Sequence, residues 1–309
     1  MRFPAVSIVM PCFNARAHLP VSVGSVLNQT FADWELIAVD DGSTDDTRSW
    51  LEAQDDPRIS VLHQRNCGVS AARNAGLAHA RGDLIAFLDA DDTWEPSFLA
   101  EMHAALVDRP DVVLAYCGWQ NLGLAGGRGQ PFVPPDYETP DKEVALFTSC
   151  RWPIHAALVR RAAVLAAGGF DTTLKNAEDY ALWLRVGTTA AIVRVPKVLA
   201  YYHFHDGTQA SSQAARAALH HLQAELRYLN ERPQFAAALG ARRVRELTLG
   251  RLLARGYERY WKRDLRTARP IFKAVMLRGY GTVRDWLHML PAWLPERLHR
   301  ALLSIQDRS

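Results

Sequence analysis

The sequence predicts a doubly wound α/β domain followed by a helical, basic extension. Three observations lead there. Short apolar runs alternate with helix-period patterns through the first third of the chain. The runs are nearly continuous in apolar residues, as in Leu84-Ile85-Ala86-Phe87-Leu88, which suits strands covered on both faces of a parallel sheet. After Ser212 strand patterns cease, and Arg242, Arg243, Arg245, Arg251, Arg255, Arg259, Lys262, Arg263 and Arg266 follow in close succession.

Taken in order, Val6–Met10 reads as the first strand and His18–Gln29 as a helix with Leu19, Val23, Val26 and Leu27 on one face. Trp34–Val39 is the second strand, and Ser43-Thr44-Asp45-Asp46 reads as a helix start, with a capping side chain and an acidic first turn. Ile59–Leu62 is a short third strand, and Ser70–Ala80 an alanine-rich helix ended by Gly82. Leu84–Leu88 is the fourth strand, with another helix starting near Pro96. Gly123 to Tyr137 is rich in Gly and Pro, has no apolar period and reads as a long loop. Regular structure resumes near Ile154–Val159. Arg161–Ala167 is a helix ended by Gly168-Gly169, Asp179–Val186 is another, and Ile192–Val195 and Val198–Tyr202 are two strands. The boundary falls near residue 212, giving an α/β domain over 1–212 and a helical region over 213–309.

At 309 residues and 49% hydrophobic composition the chain can bury the core of one large domain plus a smaller appendage. A net charge of +3 gives no reason to expect a nucleic-acid partner. Cys12, Cys67, Cys117 and Cys150 form no C-x-x-C pair, and reduced thiols in a cytosolic protein are the expected state. The apolar run Val6–Met10, preceded by Pro4, is too short for a signal peptide, and no stretch reaches the roughly 18 apolar residues of a membrane span. A cytoplasmic location is expected, with any membrane contact peripheral.

Ligands of open α/β sheets bind at the carboxyl ends of the strands. Asp89, Asp91 and Asp92 follow directly from the fourth strand. Neighbouring carboxylates repel one another unless a cation or proton intervenes, and hard oxygen ligands suit Mg²⁺ or Mn²⁺ shared with substrate phosphates. The plainer alternative is an acidic turn before the next helix. Asp40-Asp41-Gly42-Ser43 leaves the second strand in the same way, and the two acidic edges, taken as lying on neighbouring strands, would form one crevice; here the alternative is a helix cap. Glu178-Asp179 opens a helix whose apolar face carries Leu182, Trp183 and Val186. A helix start partly favours the ionised carboxylate, which suits a general base acting on a hydroxyl, although acidic residues are common there. In His203-Phe204-His205-Asp206-Gly207 alternation puts both histidines on one side of an extended segment, and one is expected to reach a metal or a diphosphate.

Six motifs then occur in a characteristic order: Val6-Ser7-Ile8-Val9-Met10-Pro11-Cys12-Phe13-Asn14, Val39-Asp40-Asp41-Gly42-Ser43-Thr44-Asp45, Gly68-Val69-Ser70-Ala71-Ala72-Arg73-Asn74-Ala75-Gly76, Phe87-Leu88-Asp89-Ala90-Asp91-Asp92, Gly168-Gly169-Phe170-Asp171 and Glu178-Asp179-Tyr180. Together, over about residues 3–212, they resemble the family 2 glycosyltransferases of the GT-A fold. The resemblance implies a Rossmann-like, mostly parallel sheet flanked by helices, with a nucleotide-sugar half over about 1–117 and an acceptor half over about 118–212. It implies a nucleotide-diphosphate-sugar donor (a UDP-sugar), Mn²⁺ or Mg²⁺, and inversion at the anomeric carbon. By position, Pro11, Phe13 and Asp41 would line the nucleobase site, with Asn14, Asp40, Arg73, Asn74 and Ala90 also on the donor. Asp89 and Asp91 would form the D-x-D pair, Asp91 in direct contact with the metal and the adjacent Asp92 able to share either role. Asp179 would be the base, with Glu178 beside it, and His205 the late histidine near the metal. Cys12 departs from the small or hydroxyl residue usual at its position. The expected acceptor is a saccharide or lipid-linked saccharide of bacterial-type surface polysaccharide or glycolipid synthesis.

Two rival readings remain at this level. Asp89-Ala90-Asp91-Asp92-Thr93 after an apolar strand also resembles the signature of haloacid dehalogenase-like phosphatases, in which the first Asp attacks phosphorus. A catalytically inactive nucleotide-sugar-binding protein on the same scaffold is the other. In the extension, Val283, Trp286, Leu287, Leu290, Trp293, Leu294, Leu298, Leu302 and Ile305 approximate a helical stripe broken by Pro291 and Pro295, with Arg284, Arg297 and Arg300 placed to meet lipid headgroups. Such a stripe either rests on an anionic membrane or packs against protein.

Overall fold

The computed structural model describes residues 3–124, 126–150, 152–204 and 214–300. The chain separates into two compact units, Met1–Gly207 and Thr208–Ser309.

The strands of the first unit are β1 (Val6–Cys12), β2 (Trp34–Asp40), β3 (Ile59–His63), β4 (Leu84–Phe87), β5 (Thr93–Trp94), β6 (Val112–Leu122), β7 (Ala157–Arg160) and β8 (Ala191–His203). They form one sheet in the order β3-β2-β1-β4-β7-β6-β8-β5. The first four in that order are parallel, with Val6 of β1 level with both Trp34 of β2 and Leu84 of β4. Every residue of β2 and β4 is buried, as their continuous apolar runs require. β7 is antiparallel to both its neighbours, whereas β6 and β8 are parallel.

The helices α1 (Leu19–Leu27), α2 (Thr47–Glu52) and α3 (Val69–His79) connect the parallel strands. Pro20 stands in the first turn of α1, where its missing N–H costs nothing. α3 approaches the sheet through Gly76: a Cβ there would lie 2.4 Å from Val9 Cγ1. Further along are α4 (Phe98–Ala104), α5 (Lys142–Ser149), α6 (Arg161–Ala166) and α7 (Glu178–Gly187). Trp183 of α7 is fully buried, as are Phe87, Phe98 and Tyr116.

Two local expectations are corrected. The helix after β2 begins at Thr47, not at Ser43. Residues 43–46 instead form a turn, and Asp45 Oδ1 accepts the N–H of Thr47 at 3.0 Å. The two strands expected over 192–202 are one, β8. Its pairing with β6 jumps from Cys117↔Val195 to Gly118↔Val198, so Pro196 and Lys197 bulge from the ladder. Proline has no N–H to contribute, and a bulge accommodates it without ending the strand.

The second unit is helical among its described residues: α8 (Ala214–Glu231), α9 (Pro233–Arg245), α10 (Arg251–Trp261), α11 (Leu265–Met276) and α12 (Val283–Met289). α9 breaks at Gly240, whose φ is 76°, and a π-helical turn over Glu246–Gly250 leads into α10. Leu222, Leu252, Ile271, Phe272, Val275 and Met289 are among the residues of its core. Asp264 caps α11 by accepting from Thr267 N, and Thr282 with Asp285 forms a capping box on α12. Of the expected apolar stripe, Trp286 packs on this core, while Val283 and Leu287 are 80% and 66% exposed. Leu290, Trp293 and Leu298 are also exposed; Leu302 and Ile305 lie outside the described residues. No helix among the described residues is long and apolar enough to cross a membrane.

Candidate active site

The two acidic strands are not neighbours as expected, because β1 lies between β2 and β4; the shared register still brings the carboxyl ends of all three to one edge of the sheet, so Asp40–Ser43, Pro11–Asn14 and Asp89–Asp92 emerge there in turn. The first two segments are bound together. Asn14, in a left-handed conformation (φ 48°), donates its N–H to Ser43 Oγ at 3.0 Å, and its Oδ1 accepts from Thr44 N at 2.8 Å. Asp40 Oδ1 accepts from Ser43 N at 3.0 Å. Gly42 makes the turn at φ 74°, where a Cβ would come 2.8 Å from Asn66 N.

Asp41 is buried and caps neither end of α2. Its Oδ1 accepts from Gln64 Nε2 (2.7 Å) and Cys67 N (2.8 Å), and its Oδ2 from Gly68 N (2.8 Å). It thus orders the loop entering α3. Next to that loop a cavity of about 390 Å³ is lined by Asn66, Cys67, Ser70, Leu174 and Lys175, among others. Phe13 is half exposed at the same edge, and Cys12 is buried. All four cysteines are free thiols.

Arg73 joins the separate acidic motifs. The Gly68–Gly76 motif folds as α3, and its buried Arg73 points two nitrogens at two carboxylates: Nη2 donates to Asp89 Oδ1 at 2.6 Å and Nη1 to Glu178 Oε1 at 3.0 Å. Burial disfavours its charge, but Asp89 and Glu178 outweigh that and hold the guanidinium protonated. The neighbouring Asn74 has its amide engaged on both sides by Phe170, donating to the carbonyl at 2.9 Å and accepting the N–H at 2.8 Å. That pairing ties the Gly168–Gly169 turn to α3.

Ala90 is buried, and the turn after β4 closes through Asp92 N to Asp89 O at 3.0 Å. The Asp91 carboxyl is pushed up to about 7, first by burial and then by the charges of Asp92 and Asp89. Asp92 is fully buried, with Oδ2 3.0 Å from His155 Nδ1. Burial alone would depress His155, yet the Asp92 charge prevails and raises its pKa. Asp92 Oδ1 also accepts the N–H of His203, whose Nε2 lies 2.9 Å from Thr93 Oγ1. His205 lies outside the described residues. Among the described residues no three His, Cys, Asp or Glu side chains are grouped as a ready metal cage. The donor set fits a shared cation nonetheless: a partly buried carboxyl whose charge is suppressed by burial and by adjacent carboxylates is what a divalent ion would relieve, and Mg²⁺ or Mn²⁺ takes its remaining oxygens from phosphate and water.

On α7 the residue before Glu178 is Ala177 at φ 87°, a left-handed conformation that costs an L-residue roughly 1–2 kcal/mol. Asp179 is raised by burial and by the adjacent Glu178 charge, against the pull of Tyr180 N, which donates to Oδ1 at 2.7 Å, and of Arg73. Sequence reading missed His155 and Ala177. His155 had a signal, a lone titratable residue in the apolar run Ile154–Val159; a strained alanine has none.

The profile of glycosyl transferase family 2 matches residues 7–163, which is about half of the chain. The chain belongs to glycosyl transferase family 2. Over 217 residues, 68% of its length, it is 35% identical to the O-antigen biosynthesis protein RfbC of Myxococcus xanthus, of which it spans only 16%. It is 34% identical over 182 residues to UDP-Glc:alpha-D-GlcNAc-diphosphoundecaprenol beta-1,3-glucosyltransferase WfgD of Escherichia coli, covering 59% of this chain and 69% of that one. The mannosyltransferase PcManGT of Pyrobaculum calidifontis, solved with GDP-Man and Mn²⁺, superposes with a TM-score of 0.60 at 19% identity, covering 99% of this chain and 85% of that one. The fold of this family 2 member is GT-A. The phosphatase reading finds no support in these likenesses, and Asp89, its would-be nucleophile, is paired with Arg73.

Proposed function

We propose that this chain is an inverting glycosyltransferase that moves a sugar from a UDP-sugar to a hydroxyl of a saccharide or lipid-linked saccharide, in bacterial surface polysaccharide synthesis. The carrying observation is the Arg73 clamp, which holds the D-x-D acid Asp89 and the acidic start of α7 on one buried guanidinium. The named activity of WfgD supports the donor and acceptor classes, and that of RfbC the biosynthetic setting. Asp91 and Asp89 would hold a divalent cation that neutralises the departing diphosphate as a Lewis acid. Phe13 and the ordered loop from Gln64 to Gly68 would bind the nucleotide. Asp179 takes the proton of the acceptor hydroxyl, on Oδ2, because Oδ1 is held by the Tyr180 N–H. Burial, and after it the charge of Glu178, makes Asp179 a stronger base than a solvated carboxylate. Attack then comes from the face opposite the leaving group in one displacement, which needs one base and no enzyme nucleophile.

The enzyme would work at an anionic membrane surface in the cytoplasm. From 208 to 309 there are 19 Lys and Arg against 8 Asp and Glu; from 1 to 207 there are 17 against 25. The basic portion also carries the exposed Val283, Leu287, Leu290, Trp293 and Leu298, the apolar side of a surface-seeking segment.

A donor screen tests the proposal. UDP-Glc, UDP-GlcNAc and GDP-Man are offered with and without Mn²⁺, and melting temperature and sugar transfer are followed. A UDP-sugar should raise Tm with Mn²⁺, and an α-linked donor should yield a β-linked product by NMR. Retention of configuration would overturn the single displacement. Donor binding without turnover across a broad acceptor panel would favour an inactive binding protein.

A further inference from the structure

We propose that a second cavity, lined by Trp119, Phe132 and Trp152 with Asn121, Arg128 and Gln130, seats a sugar ring of the acceptor. This rests on the transferase reading above and extends it to the residues that recognise the acceptor. The cavity holds about 480 Å³, inside the roughly 300–1,000 Å³ range of small-molecule sites.

Its chemistry is that of a carbohydrate site. A pyranose offers a face of C–H bonds and a rim of hydroxyls. The negative faces of aromatic rings attract the former, and amides and a guanidinium bond the latter. Arg128 and Gln130 are exposed and Trp119 and Phe132 partly so, which leaves their polar groups and ring faces open to a ligand, while Trp152 is buried and backs the cavity as its floor.

The rings are held in place before any ligand arrives. Trp119 and Phe132 exchange two backbone hydrogen bonds of 2.9 Å, and their rings meet edge to face at 4.8 Å. Asn121 Nδ2 donates to Arg128 O at 2.8 Å, fixing the loop over the end of β6. Trp152 stacks on Tyr116 at 4.5 Å, and Tyr116 is anchored in turn, its hydroxyl accepting from Tyr137 N at 2.8 Å and donating to Pro135 O at 3.0 Å.

Its place in the fold also suits an acceptor. The same short segment that contributes Cys150 and Trp152 to the cavity continues to His155, 3.0 Å from Asp92. Tyr180, next to the proposed base, donates its hydroxyl to Phe147 O at 2.7 Å, which brings the start of α7 against the end of α5 just before Cys150. The groups expected to take the nucleotide converge elsewhere, around Asp41 and the loop before α3.

The test uses the full chain and the methyl α-glycosides of glucose, galactose, mannose and N-acetylglucosamine in saturation-transfer difference NMR. At least one glycoside should receive saturation mainly on the C–H protons of one ring face. The signal should fall at least tenfold in Trp119→Ala and also in the double variant Arg128→Ala/Gln130→Ala, whose exposed side chains are not part of the core. Saturating UDP should leave it in place. Absence of contact for all four glycosides, persistence in both variants, or displacement by UDP would each overturn the subsite. The donor-dependent rise in Tm of the unmodified chain needs no acceptor. Its absence alongside glycoside contact would therefore reject the transferase reading and leave the saccharide site standing.

Discussion

Two carboxyls in the crevice, Asp91 and Asp179, have their proton affinity raised by burial and by neighbouring charge, and both shifts can be read in solution. For Asp91 the folded value, about 7, lies above the ordinary carboxyl value near 3.9. Folding is then linked to proton uptake: the full contribution is present below about pH 4 and is lost as pH rises toward 7. Asp91→Asn should accordingly be more stable than the wild type at pH 8 without metal, by roughly 1–3 kcal/mol after allowing for partial exposure, and of similar stability at pH 4. The same variant should be inactive in transfer. Urea unfolding at the two pH values, with a transfer assay beside it, checks both parts; full activity in the variant would remove Asp91 from the site. Asp179→Asn keeps the shape but cannot take the proton, so kcat should drop by about 10²–10⁴ while donor affinity holds. If kcat barely moves, Glu178 becomes the base. Because Glu178 raises Asp179, Glu178→Gln should move the acidic limb of the kcat/KM profile to lower pH; an unmoved limb would mean that another group sets it.

At the scale of elements, α3, the turn after β4 and the start of α7 meet on Arg73. Arg73→Met removes a buried cation and leaves two carboxylates facing each other, at a cost of about 3–5 kcal/mol. The melting temperature should fall steeply and recover in part with Arg73→Lys, which keeps the charge but only a point-like donor. Equal stability of wild type and Arg73→Met would show that the clamp carries no weight. The parallel strands and α3 were legible because a continuous apolar run and an alanine-rich period are local signals. β6 went unassigned because Gly118 interrupts its pattern, and β8 looked divided because Pro196 cannot pair. The supposed helix start at Ser43 failed for a tertiary reason: Asn14 and Asp40 hold Ser43 and Thr44 in the crevice, so the helix waits until Thr47.

For the whole molecule, the modest net charge of +3 conceals an acidic first portion and a strongly basic second one. A basic surface with exposed Leu287, Leu290 and Trp293 should carry the protein to anionic vesicles. In flotation assays the full chain should rise with phosphatidylglycerol vesicles at low salt, less so at 0.5 M salt, and Leu287→Glu/Trp293→Glu should stay behind. Equal flotation of both proteins would mean that this face does not touch lipid.

The family motifs, the existence of the parallel strands and the positions of the acidic clusters in the chain were determined by sequence alone, because each is written in a contiguous stretch with its own periodicity or composition; the order of the strands in the sheet was not. Which acids meet was not. Arg73 lies 105 residues from Glu178, and His155 is far from Asp92 in the chain; only the closing of the sheet brings either pair within 3.0 Å. The proton affinities of Asp91 and Asp179 were likewise decided by tertiary structure, since burial and through-space charge have no counterpart in a linear sequence. The aromatic cavity belongs to the same class: Trp119, Phe132 and Trp152 come from a strand end, a loop and a turn, and they become one surface only when the backbone bridge between Trp119 and Phe132 has formed.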